Sequence, residues 1–109
     1  MATKRATSGE IIDLVSPGDA NTRALIKTDE LEVLRLAVPR GKTIDTHQVP
    51  GDLTVQCLEG RAALTTPDRE IELGAGQLVY LAGGTPHGVR GLEDAQLLVT
   101  ICFRPKDRA

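Results

Sequence analysis

The sequence is poor in aromatic residues, since its 109 residues include no tryptophan, one tyrosine and one phenylalanine. Sites that bind sugars usually stack aromatic rings on the faces of the sugar, so Tyr80 and Phe103 alone disfavour a carbohydrate ligand. Serine is also scarce: Ser8 and Ser16 both lie in the N-terminal part, with no histidine near them in sequence. A serine–histidine hydrolase is therefore disfavoured as well.

Cysteine is limited to Cys57 and Cys102, each inside an apolar run that is typical of a strand. No Cys-x-x-Cys pattern and no neighbouring histidine accompanies either residue. We therefore predict two buried free thiols that behave as small hydrophobic side chains, with a Cys57–Cys102 disulfide or a catalytic thiol as alternatives.

Strong charge and long hydrophobic runs are missing too. The formal net charge is −2, and the basic residues are scattered apart from a short run near the C-terminus, so we expect no nucleic-acid partner. No stretch approaches the roughly 18 apolar residues that a membrane span requires. The first ten residues carry charge but are followed by no apolar segment of a signal peptide. We expect a cytoplasmic protein with no membrane partner.

Glycine and proline are abundant, with 11 and 6 residues respectively, and they divide the chain into short runs. Nine of these runs predict strands, at residues 10–15, 23–27, 31–38, 53–58, 61–66, 69–73, 77–81, 86–90 and 95–103. Many short strands at this spacing predict an all-β sandwich or barrel. We expect a flexible N-terminal tail over 1–9, one domain over 10–103 and a C-terminal tail over 104–109.

The segment that follows Thr28 is ambiguous. Thr28 followed by acidic residues resembles the start of a helix, whereas alternation places Leu34, Leu36 and Val38 on one face of a strand. Glu32 is the exception in that alternating series. The strand pattern on either side favours a strand.

The two histidines stand in two glycine-bounded motifs. In the first, five residues separate Gly41 from His47, and Gly60 follows at the end of a predicted hairpin. The second begins at Gly76 and ends in Gly84-Thr-Pro-His87. Over residues 30–103 this pattern resembles the two motifs of the cupin family. The resemblance implies a double-stranded β-helix, the cupin jelly-roll barrel, with one pocket between two sheets. It also implies a homodimer, for which residues 10–38 are the candidate contact.

The chain departs from the metal-ligand set that the resemblance implies. Val49 stands where cupins have a second histidine, and Leu53 stands at the usual glutamate position. His47 and His87 therefore remain as candidate ligands for iron, manganese, nickel or zinc. Asp52 and Gln56 are candidate extra ligands, although Asp52 in Pro-Gly-Asp is more typical of a turn and a regular strand would direct it to the other face.

These observations predict a ligand pocket lined by His47, Val49, Leu53, Tyr80 and His87. The leading hypothesis is a barrel that binds a small organic ligand with a weak or absent metal site. The first alternative is a mononuclear metal-dependent enzyme of the dioxygenase, isomerase or lyase type. The second is a non-catalytic structural or interaction module.

Overall fold

A computed structural model describes residues 7–14 and 22–103 of the protein. Within these residues it contains nine strands and no helix: β1 Arg23–Lys27, β2 Leu31–Val38, β3 Thr43–His47, β4 Asp52–Glu59, β5 Arg61–Thr65, β6 Glu70–Gly74, β7 Leu78–Leu81, β8 His87–Gly91 and β9 Ala95–Cys102. The described residues therefore include no candidate for a membrane-spanning helix.

The strands form two antiparallel sheets that pack against each other. One sheet has the order β1-β2-β9-β4-β7, and the other has the order β3-β8-β5-β6. Burial alternates along β4 and β9, so that Leu53, Val55 and Cys57 face the other sheet while Thr54 and Gln56 face outwards. This arrangement is the double-stranded β-helix, and the prediction of an all-β jelly-roll fold is confirmed.

The segment that the sequence left ambiguous is a strand. Residues 31–38 form β2, which pairs with β9 along its whole length from Leu31↔Cys102 to Val38↔Ala95. Long-range pairing therefore outweighs the helix-start signal at Thr28, whose hydroxyl instead accepts hydrogen bonds from the amides of Glu30 and Leu31.

One predicted strand is absent, and one observed strand was not predicted. Residues 10–14 of the predicted strand 10–15 are not a strand, and residue 15 lies outside the described residues. The sequence did not predict β3, because Ile44 is its only hydrophobic residue and the other four are polar. Pairing with β8 makes this segment a strand at the edge of its sheet. Of the two predicted tails, residues 1–6 and 104–109 also lie outside the described residues.

Among the described residues, the core consists of aliphatic side chains and Cys57, and none of its fully buried members is aromatic. Leu64, Leu97, Val38 and Cys57 are the largest side chains that are fully buried. Ala62 and Ala95 are small, fully buried members of the same cluster between the two sheets. Each buried leucine contributes about 2 kcal/mol by removal of its apolar surface from water.

The turn between β4 and β5 takes the chain from one sheet to the other and requires glycine. Gly60 has φ of 72°, a conformation that glycine adopts without steric cost. A Cβ atom at this position would also collide with the backbone carbonyl of Asp94. Gly60 therefore lets the two sheets join at this end of the barrel.

The two cysteines are free, and they differ in exposure. Cys57 is buried, as predicted, whereas the prediction of burial is wrong for Cys102. Ile101 takes the inward position in β9, so the next residue, Cys102, faces outwards. Burial raises the pKa of the Cys57 thiol, whose Sγ lies 3.2 Å from the carbonyl oxygen of Glu59 and donates to it.

This difference predicts the reactivity of the two thiols, because the thiolate is the reactive form. In the folded protein we expect a disulfide reagent at mildly alkaline pH to modify Cys102 rapidly and Cys57 only slowly. In denaturant both thiols should react at similar rates. The Cys102→Ser variant should lose the rapid phase, and a rapid phase that persists in this variant would contradict the assignment.

The pKa shift also has a consequence for stability. A thiol whose pKa is raised by folding does not affect stability well below its ordinary pKa, where both states are protonated. Above about pH 8.5 the unfolded chain ionises first, so the Cys57 thiol should lower the free energy of unfolding as the pH rises further.

Candidate functional site

The two histidines, 87 − 47 = 40 positions apart in sequence, are direct neighbours in the structure. His47 ends β3, His87 begins β8, and the two residues are opposite each other in the antiparallel pair. A register shift between Ile44 and His47 accompanies this pairing. The ring centroids are 4.5 Å apart, with the ring planes inclined by 57°.

Local hydrogen bonds indicate which tautomer each neutral imidazole ring adopts. Nδ1 of His47 lies 3.1 Å from the carbonyl oxygen of Asp45, and Nδ1 of His87 lies 2.9 Å from that of Thr85. Since a carbonyl oxygen only accepts, each Nδ1 carries the hydrogen and donates it. In the neutral rings Nε2 is therefore a lone-pair acceptor. His47 is exposed, whereas His87 is only 5% exposed.

Next to the histidines, hydrogen bonds join the loop before β4 to the loop before β8. The amide of Gly84 donates to the carbonyl oxygen of Val49 at 2.7 Å, and the amide of Gly83 donates to Oδ1 of Asp52 at 2.8 Å. The backbones are so close that a Cβ atom at Gly83 would collide with the carbonyl group of Pro50. This contact brings the start of β4 and the start of β8 to the same end of the barrel.

A cavity of about 410 Å³ lies between the two sheets at this end. The polar side chains of its lining are Glu32, His47 and His87. The remaining lining residues are hydrophobic and include Leu34, Leu36, Val49, Val55, Val99 and Phe103. The cavity is therefore mainly hydrophobic and has a few polar groups.

Strand register shows that the polar groups lie at one end of this cavity. Glu32 pairs with Ile101, which pairs with Leu53, and this row crosses the sheet at the end that carries the two loops. The next row, further from the loops, consists only of hydrophobic residues: Leu34, Val99 and Val55. The row after that contains Leu97 and Cys57, which pair with each other and are fully buried. The cavity thus has a polar end beside the histidines and a hydrophobic interior.

The structure places four of the five predicted pocket residues along the cavity, namely His47, Val49, Leu53 and His87. The fifth, Tyr80, is not among the lining residues, and its prediction as a pocket residue is wrong. Val79 and Leu81 of β7 pair with the inward-facing Val55 and Leu53, so Tyr80 faces outwards and is 59% exposed.

The two candidate extra ligands do not face the cavity either. The carboxylate of Asp52 accepts from Gly83 and holds the loop contact, as its position in a turn indicates. Gln56 pairs with the exposed Leu78 on the outer face, because β4 is regular at this point and carries no bulge. Both predictions of extra metal ligands are therefore corrected.

A transition metal in a protein site typically takes three or four protein ligands. The two Nε2 lone pairs suit such an ion, but Val49 and Leu53 offer none. Within residues 7–14 and 22–103, no group of three or more His, Cys, Asp and Glu side chains could hold a metal ion. The described residues do not fit a tightly held metal.

Glu32 is the polar lining residue of the cavity that the sequence analysis did not predict as a site residue. Its side chain is 21% exposed, and its Oε2 lies 3.9 Å from Nζ of Lys27. The sequence did contain a signal, since Glu32 interrupts the alternating series Leu34, Leu36 and Val38 on the inward face of β2. A charged residue in such a series indicates a functional position or the mouth of a cavity.

Comparison with known proteins supports this architecture. The sequence profile of the Cupin domain family matches residues 34–103, which is about two thirds of the chain. No curated protein sequence matches the chain.

Solved structures from several organisms are similar to this fold. A conserved protein of unknown function from Streptococcus pyogenes is 23% identical, with a TM-score of 0.76 and coverage of 95% of this chain and 96% of that chain. An RmlC-like cupin protein with a double-stranded β-helix fold from Methanocaldococcus jannaschii is 16% identical, with a TM-score of 0.75 and coverage of 90% and 94%.

A third similar structure is the oxalate decarboxylase of Bacillus subtilis, which is described for its Mn(II) centres. It is 22% identical with a TM-score of 0.64, and the match covers 71% of this chain but only 23% of that protein. At these identities the similarity shows the shared fold alone.

Proposed function

The chain belongs to the cupin domain family, and we propose that it binds a small, largely hydrophobic organic molecule between its two sheets without a tightly held metal ion. The observation that carries this proposal is the cavity of about 410 Å³, with its hydrophobic interior and its polar end at His47 and His87. Sites for small molecules commonly have volumes of about 300 to 1,000 Å³ and combine apolar walls with a few oriented polar groups.

The binding free energy would come mainly from the hydrophobic interior. Apolar surface that leaves water contributes about 25 cal/mol for each Å². The imidazole acceptors at the polar end would orient the ligand, because a ligand donor placed elsewhere would lose its hydrogen bond to water without replacing it. An open cavity also argues against a purely structural module, which would fill this space with side chains.

A mononuclear metal-dependent enzyme is the second candidate. The adjacent imidazole rings of His47 and His87 favour it, as does the fold shared with an enzyme described for its Mn(II) centres. Val49 and Leu53 oppose it, since neither side chain can donate a lone pair to an ion.

A neutral probe of suitable size tests the proposal. We expect 2-phenylethanol to bind with a dissociation constant of about 1 mM, because its phenyl ring fits the hydrophobic interior and its hydroxyl can donate to an imidazole. NMR titration of the leucine and valine methyl groups should shift the signals of Leu34, Val55 and Val99. The outward-facing Leu78 serves as an internal control whose methyl signals should not move.

A cavity-filling variant provides the matched control. Val99→Phe places a ring inside the cavity at a cost of about 1 to 3 kcal/mol in stability, and it should abolish these shifts while the spectrum remains that of a folded protein. Absence of cavity shifts in the unaltered protein, or equal shifts in Val99→Phe, would refute the proposed function.

A further inference from the structure

The polar side chains that line the cavity are all hydrogen-bond acceptors. Glu32 carries a carboxylate, and in the neutral rings of His47 and His87 Nε2 is the acceptor, since each Nδ1 hydrogen is donated to a backbone carbonyl group. No lysine, arginine, serine, threonine, asparagine, glutamine or tyrosine is present among the described lining residues. The described lining therefore offers a ligand several side-chain acceptors and no free side-chain donor.

The charge at the polar end is negative. Glu32 brings one carboxylate, and among the described residues it pairs with Lys27, whose Nζ is 3.9 Å away on a side chain that is 45% exposed. A solvated pair at this distance is weak, because water screens the attraction and the lysine side chain resists being fixed. The described lining residues themselves include no cation, so Lys27 only partly offsets the charge that a ligand meets.

The hydrophobic interior requires that the rest of the ligand is apolar. Leu34, Val55 and Val99 form the row behind the polar end, and they leave a polar group placed there without a hydrogen-bond partner. A ligand that satisfies both regions therefore has an apolar body and a donor-rich, positively charged head.

We propose that the cavity selects hydrophobic amines in their protonated form, a specificity that rests on the proposed ligand-binding function. The ammonium head lies at the polar end and donates to Glu32 and to the imidazole Nε2 atoms. The apolar body extends between Leu34 and Val99. An ammonium has three donors and no acceptor, and it therefore matches a set of acceptors better than any uncharged group.

Glu32 and the histidine pair line the same cavity from opposite sheets. Stacked sheets typically lie about 10 Å apart, a separation at which side chains of both sheets can contact one small group between them. A carboxylate ligand in the same place would face the charge of Glu32 and find no side-chain donor. The expected order of affinity is amine first, alcohol second and carboxylate last.

Three probes that share a phenyl ring and differ in their polar head group test this order of affinity. 2-Phenylethylamine, 2-phenylethanol and 3-phenylpropionate are titrated at neutral pH in the presence of EDTA, and the shifts of the cavity methyl groups are followed by NMR. We expect the amine to bind about fivefold or more tightly than the alcohol, as a charge-assisted hydrogen bond allows, and the carboxylate to bind more weakly than both.

Glu32→Gln removes the charge and retains the size of the side chain. It should reduce the affinity for the amine about fivefold or more and leave that for the alcohol nearly unchanged. Glu59→Gln is the matched control with the same change in net charge, because Glu59 is exposed at the far end of β4, and it should affect neither probe.

The outcomes distinguish the two proposals. If all three probes shift the cavity methyl groups with equal affinity, or if Glu32→Gln and Glu59→Gln behave alike, the amine specificity is refuted while ligand binding stands. Tighter binding of the carboxylate refutes the specificity as well. If no probe shifts these methyl groups, both proposals fail.

Discussion

We expect the double substitution Val49→His and Leu53→Glu to convert the histidine pair into a site that retains a transition metal through dialysis against a chelator. Both residues line the cavity beside His47 and His87, so the new side chains should complete a set of four ligands. Altering only the partners that orient metal ligands changes affinity about 10- to 100-fold, and two added ligands should therefore increase it by more than 100-fold.

The variant should also become dependent on metal for its stability. Without an ion, a glutamate at position 53 is an unpaired carboxylate among hydrophobic side chains, which lowers the free energy of unfolding. Metal at about 100 times its dissociation constant should restore about 2.7 kcal/mol. Elemental analysis after dialysis and thermal unfolding with and without nickel measure the two effects, on protein expressed without a histidine tag.

Thr54→His with Gln56→Glu is the matched control, because it adds the same side chains to the outer face of β4, the strand that carries Leu53 on its inner face. It should retain no metal. The unaltered protein should carry at most a sub-stoichiometric mixture of metals that neither His47→Ala nor His87→Ala changes. Near-stoichiometric metal that is lost in either variant would overturn the metal-poor proposal and favour the metal-dependent enzyme.

The second large effect concerns the core. Leu97 is fully buried in β9, between Leu36 of β2 and Cys57 of β4. Leu97→Ala should lower the free energy of unfolding by about 3 kcal/mol, since the substitution loses apolar burial and leaves a cavity. That loss is a large part of the roughly 5 to 15 kcal/mol of a typical domain.

Leu78→Ala provides the same chemical change on an exposed strand, where Leu78 is 59% exposed. It should cost less than about 0.5 kcal/mol. Urea unfolding measures both variants, and a shift in midpoint at constant slope identifies the change as one in stability. Equal losses in the two variants would contradict the assignment of Leu97 to the core and Leu78 to the surface.

Local patterns predicted most of the strands, because glycine and proline end strands within a few residues and alternation marks an inward face. Thus β2, β4 and β9 were predicted close to their observed bounds. The missed strand β3 shows the limit of these patterns. In β3, a single hydrophobic residue gives too little alternation, and pairing with β8 supplies the missing preference for a strand.

The candidate site was also predictable only in part. The resemblance to the two cupin motifs implied that His47 and His87 lie together, and the structure shows them as a direct pair. Spacing carried no information on the orientation of Tyr80 or Cys102, which depends on the residue that takes the inward position in each strand. A shift of one residue reverses that orientation.

Composition and local order therefore account for the class of the fold, the positions of most strands and the loss of two metal ligands, since these depend on neighbouring residues or on residue identity alone. The cavity depends on more distant relations. Glu32 becomes a neighbour of Leu53 only because β9 pairs with both of their strands, and it shares a cavity with His47 and His87 only because the second sheet packs across it. The polar end and the hydrophobic interior arise from this pairing of strands that are far apart in the chain.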